Sequence, residues 1–77
     1  MSRLLPVTGR KMCKILEAED FVKVHQVGSH VRYVHPDGRR TVVPVHGNEK
    51  LGIGLIKEIL KQIKMSRETY KELRQKV

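Results

Sequence analysis

Aromatic side chains are scarce in this sequence: one Phe, two Tyr and no Trp among 77 residues. Val, Ile and Leu must therefore build the core, and a chain this short buries only about 60% of its unfolded surface. The length supports one domain, residues 1–77, and no second. Cys13 is the sole cysteine, so no internal disulfide can form and a reducing cytoplasm is the expected compartment. No apolar run approaches the roughly 20 residues that cross a bilayer. The opening Met1-Ser2-Arg3-Leu4-Leu5-Pro6 lacks the apolar stretch and small-residue cleavage site of a signal peptide.

Acidic residues are also in short supply. Eight Asp and Glu face sixteen Lys and Arg, a formal net charge of +8 with a pI near 10.1. Residues 1–38 carry six basic and four acidic side chains, and residues 39–77 carry ten and four. The difference is +2 against +6, so the second half holds most of the field. Such an excess favours a polyanionic partner: nucleic acid, an anionic membrane or an acidic protein.

What is present reads as helix, three strands, helix. Thr8 is an N-cap, Met12, Ile15 and Leu16 recur on one face, and Val7 with Met12 form a hydrophobic staple. The spacing predicts a helix from about Gly9 to Glu19, without a glycine stop. From Phe21 the period falls to two, giving strands at Phe21–Val27, His30–His35 and Arg40–Val45, with turns at Gly28-Ser29 and Pro36-Asp37-Gly38. Leu51, Leu55, Ile56, Ile59, Leu60 and Ile63 mark a second amphipathic helix, and Ser66 caps a short terminal one holding Tyr70, Leu73 and Val77. The expected fold class is α+β. A three-stranded antiparallel sheet is covered on one face by two helices, in the α-β-β-β-α order of double-stranded-RNA-binding domains, with a short C-terminal helix added.

Four histidines carry the candidate chemistry. Metal-free RNA cleavage needs a base for the 2′-hydroxyl, positive charge for the phosphorane and an acid for the leaving oxygen. Imidazole, with an ordinary pKa of about 6.5, can move protons near neutral pH. His30 is the best placed, following Gly28-Ser29 at a strand start where a phosphate can approach. Ser29 and His46 are candidate helpers, whereas His25 and His35 read as structural. No metal site is expected, since paired ligands at zinc spacing and carboxylate clusters are both missing. The His25–His30 separation of five puts the two on opposite faces of a regular strand, unless Gly28-Ser29 resets the register. Arg32 sits beside His30, and Lys57, Lys61 and Lys64 form a basic ridge on the second helix; Arg32, Lys57 and Lys61 are the expected RNA-backbone contacts. For stacking a base, Tyr33 alone stands on the predicted sheet.

The runs Leu5-Pro6 to Leu16, Phe21 to Gly28-Ser29-His30, Arg32-Tyr33, His35-Pro36-Asp37-Gly38, Pro44-Val45-His46 and Ile59-Leu60-Lys61-Gln62 resemble the HicA-type mRNA interferase toxins, as far as about Tyr70. The most specific part is Gly-Ser-His followed, across a turn, by Pro-Val-His. The resemblance implies a cytoplasmic prokaryotic toxin with a dsRBD-like fold that cuts mRNA independently of translation and without a cofactor. It assigns the catalytic role to the histidine of Gly-Ser-His, here His30, and implies a HicB-type antitoxin that covers the active site. Two positions depart from the family pattern: Asp20 stands where a Gly is common, and Gly54-Leu55-Ile56 where Gly-Thr-Leu is favoured. The same charge and topology also suit a non-catalytic dsRBD-like RNA-binding module or a protein-interaction domain, and turnover separates the first from an enzyme.

Overall fold

The computed structural model describes residues 3–77, leaving the signal-peptide expectation for Met1-Ser2 outside the described residues. Its elements run α1 (Gly9–Ala18), β1 (Val22–Val27), β2 (His30–Val34), β3 (Arg40–Pro44), α2 (Ile53–Gln62) and α3 (Arg67–Lys76). This is the expected α-β-β-β-α order with one further helix. Thr8 caps α1, its hydroxyl accepting the Lys11 N–H at 3.1 Å. Val7 and Met12 are both buried, as the staple requires.

Helices α1 and α2 stop by the same device. At the end of α1 the Phe21 N–H reaches back to the Leu16 carbonyl at 3.0 Å and the Asp20 N–H to Glu17 at 3.2 Å, with Asp20 at φ 68°. At the end of α2 the Met65 N–H reaches Leu60 at 2.9 Å and the Lys64 N–H reaches Lys61 at 3.3 Å, with Lys64 at φ 55°. Each is a Schellman closure whose left-handed residue is not the usual glycine. That is why the sequence shows no stop signal. Asp20 stands at the very position where the family pattern carries Gly, and its φ supplies the reason.

The sheet order is β1-β2-β3, antiparallel throughout. Register pairs His30 with Pro44, Arg32 with Val42 and Val34 with Arg40 on one face. The alternate residues Val31, Tyr33, Thr41 and Val43 point the other way and are buried. Val31, Tyr33 and Val43 join Met12, Ile15 and Leu16 of α1 and Ile56, Ile59 and Leu60 of α2 in one core. Helices therefore cover a single face, and the His30 face stays open. The helical layer stops short of β1, all of whose residues are exposed. Tyr70 of α3 donates to the Leu5 carbonyl at 2.6 Å, anchoring the segment before α1.

Candidate active site

A groove of about 590 Å³ opens where the outward face of β3 meets α2, large enough for a small ligand. The sheet contributes His30, Arg32, Arg40, Thr41, Val42 and Pro44, and α2 contributes Leu55, Glu58, Ile59 and Gln62. Backbone register explains the first set: His30 and Arg32 are two apart on β2, and their partners Pro44 and Val42 are two apart on β3. Helical periodicity explains the second, since positions 55, 58, 59 and 62 fall on one stripe. Thr41 donates to the Gln62 side-chain oxygen at 2.6 Å, linking β3 to α2 at the floor of the groove.

Gly28, at φ 57°, makes the two-residue turn that delivers His30 to the start of β2. Ser29 lies beside His46, Oγ to Nε2 3.4 Å, while the Ser29 carbonyl accepts the Val45 N–H at 2.7 Å. The two turns that carry His30 and His46 are thus tied together at one end of the sheet. His25 pairs with Arg32 and Val27 with His30, so the Gly28-Ser29 turn does reset the register and His25 shares the open face with His30. His35 lies elsewhere. Its ring tilts against Phe21, centroids 5.0 Å apart, and its Nδ1 accepts the Asp37 N–H at 3.1 Å.

One expectation is overturned. Tyr33 is 1% exposed and donates to Glu17 at 2.5 Å, so it cannot stack a base. It shares strand parity with Val31 and faces the core; burial, then the Glu17 bond, pushes its phenol well above the ordinary range. Phe21 and Tyr70 are buried too, so no Phe or Tyr ring among the described residues is open for stacking. Lys57 and Lys61 lie on the side of α2 away from the groove, lining a shallow depression with Lys64 and Arg67. The structure brings His30 and Arg32 together and leaves these lysines half a helical turn away. Arg40, Glu58 and Gln62 were not singled out from sequence. Strand parity could have found Arg40, and the Leu55 stripe at i+3 and i+7 could have found the other two.

Cys13 is half-buried, and burial pushes its thiol up, which keeps it protonated and poorly nucleophilic. Among the described residues no group of three or more His, Cys, Asp or Glu side chains is placed to hold a metal ion. No described helix is long and apolar enough to cross a membrane.

The family model for the HicA toxin of bacterial toxin-antitoxin systems matches residues 9–65. The chain belongs to the HicA toxin family. No curated protein matches it. The HicA match begins at the first residue of α1 and ends just past α2, so it contains every residue of the groove and leaves α3 outside. As a HicA toxin the protein is one half of a toxin–antitoxin pair, and an antitoxin is its partner.

Proposed function

We propose that the protein is an mRNA interferase: a metal-independent endoribonuclease that cuts RNA through His30 and is silenced by a HicB-type antitoxin. The observation that carries this reading is one groove holding an imidazole and two guanidinium groups, His30, Arg32 and Arg40. Imidazole takes the proton of the 2′-hydroxyl or gives one to the 5′-oxygen. The 2′-oxygen attacks phosphorus, the bond to the 5′-oxygen breaks, and the products are a 2′,3′-cyclic phosphate and a 5′-hydroxyl. Arg32 and Arg40 supply charge to the phosphorane and hold the phosphate. Ser29 and His46 act as helpers that steady the turn bearing His30. Backbone contact suits a site with no exposed Phe or Tyr ring.

The antitoxin reading draws on the same face. Val22 and Val27 of β1, 57% and 64% exposed, share the open face with His30, and exposed Val42 and Leu55 lie on the far side of His30 and Arg32. A protein laid over this face buries those side chains and the groove together, matching the apolar centre of a stable interface.

The test uses the wild type and His30→Ala with labelled single-stranded RNA in EDTA. The variant is expected to bind RNA as the wild type does and to cut it at least 10²–10⁴-fold more slowly, the usual worth of positioned proton transfer. Equal cleavage by both removes His30 from the mechanism. Binding by both with no cleavage by either leaves an RNA-binding module.

A further inference from the structure

We infer that Lys57, Lys61, Lys64 and Arg67 form a second RNA-phosphate subsite, across α2 from the groove, which holds the strand flanking the bond to be cut. The inference rests on the reading of the protein as RNA-binding. It concerns a surface separate from His30.

Helix α2 divides the two surfaces. Leu55, Glu58, Ile59 and Gln62 face the groove, while Lys57, Leu60, Lys61 and Lys64 face the depression about half a turn away. The charge is divided unequally. Two arginines and the Glu58 carboxylate line the groove, and four cations with no carboxylate line the depression. Most of the concentrated positive charge thus lies away from the chemistry, where it can serve binding but not the transition state.

Helix-end electrostatics account for only part of this cluster. Lys61 is in the last turn of α2, where the dipole favours a cation. Arg67 opens α3 directly after its Ser66 cap, at the end where the dipole disfavours one. Converging a lysine ridge and an unfavourably placed arginine on one hollow makes sense when an anion sits between them. Lys57 and Lys61 are one turn apart, about 6 Å along the helix axis, a spacing suited to neighbouring phosphates of one strand.

An RNA strand fits this surface better than a protein does. Protein interfaces are depleted in lysine and need an apolar centre. Here Leu60 is buried and Leu4 and Met65 are half-buried, whereas exposed Val22, Val27 and Val42 lie on the open face of the sheet. Phosphate binding needs cations and little else. The two surfaces are about 10 Å apart, the width of a helix, which a few nucleotides can bridge. Between them on the wheel lies exposed Gly54, with nothing within 4 Å of where a Cβ would stand, so a strand can cross α2 at its first turn, one turn ahead of the exposed Glu58.

The experiment compares the wild type with Lys57→Glu/Lys61→Glu on a long single-stranded RNA and on a short oligonucleotide that fills the groove alone. Lys57→Gln/Lys61→Gln repeats it without charge reversal, and circular dichroism confirms folding. KM for the long RNA is expected to rise at least tenfold in the Glu variant with kcat unchanged, while the short substrate changes less than twofold. The salt slope of long-RNA binding should fall by about 1.4 in the Gln variant, near 0.7 for each phosphate no longer neutralised. Equal losses on both lengths, or none on either, overturn the subsite. So does weakened antitoxin binding with RNA affinity intact, which would make the surface a protein-binding one. If no protein cuts either RNA, the ribonuclease reading fails by itself. Long-RNA binding then decides the subsite, and unchanged affinity overturns it.

Discussion

Asp37 accepts the Arg39 backbone N–H at 3.0 Å and the Arg39 guanidinium at 2.7 Å, which hold its carboxyl below the ordinary value. The same Arg39 lies over the Phe21 ring and donates to the Ile63 carbonyl at the end of α2, so one turn residue fastens the β2–β3 hairpin to the helical layer. A carboxyl depressed in the folded state releases its proton more readily there than in the unfolded chain. Its contribution to stability is present above the unfolded value of about 3.9 and is lost as pH falls through the folded one. Asp37→Asn should therefore flatten the acid side of the stability curve. Thermal melts across that range check this, and parallel curves for variant and wild type would contradict it. At this scale the turn was legible in the sequence but the clamp was not, because Ile63 is twenty-four residues from Arg39.

The helix stops were illegible for a local reason. Glycine after a helix is the usual sign of its end, and Asp20 and Lys64 occupy those left-handed positions instead. Asp20→Gly should match or exceed wild-type stability by up to about 1 kcal/mol, while Asp20→Val, branched at Cβ, should lose about 1–2 kcal/mol. Denaturant titration of both variants checks the pair, and equal effects would remove strain at Asp20 as the explanation. Gly9 is constrained from the opposite side. A Cβ there would collide with the Pro44 carbonyl oxygen and the Val45 backbone, so neither neighbour can yield cheaply. Gly9→Ala is expected to cost about 1–3 kcal/mol, seen as an earlier thermal midpoint; an unchanged midpoint would show that α1 can move away from β3. Elements themselves were readable, because the caps at Thr8 and Ser66 and the turn at Pro36-Asp37-Gly38 are coded within four residues.

Across the whole molecule the legible and the illegible divide by sequence distance. His30 and Arg32 share a face because they are two apart on one strand, which alternation alone makes visible. The pairing of their face with Leu55, Glu58 and Gln62 depends on how α2 crosses the sheet, which no local pattern states. The lysines of α2 were readable as a ridge, but their position across the helix from His30 was not. Two surfaces result: an open sheet face on which exposed valines flank the groove with His30 and Arg32, and a basic hollow across α2. In the proposed function the first takes the scissile phosphate and is covered by the antitoxin, and the second takes the flanking strand.

Central to the proposed function is imidazole-driven attack by the 2′-hydroxyl in the His30 groove. Identifying the ends of the fragments left by the wild-type protein in EDTA tests that chemistry most directly. A 2′,3′-cyclic phosphate on one fragment and a 5′-hydroxyl on the other is the predicted result. A 5′-phosphate facing a 3′-hydroxyl would mean that water, not the RNA's own hydroxyl, is the nucleophile, and would contradict the mechanism.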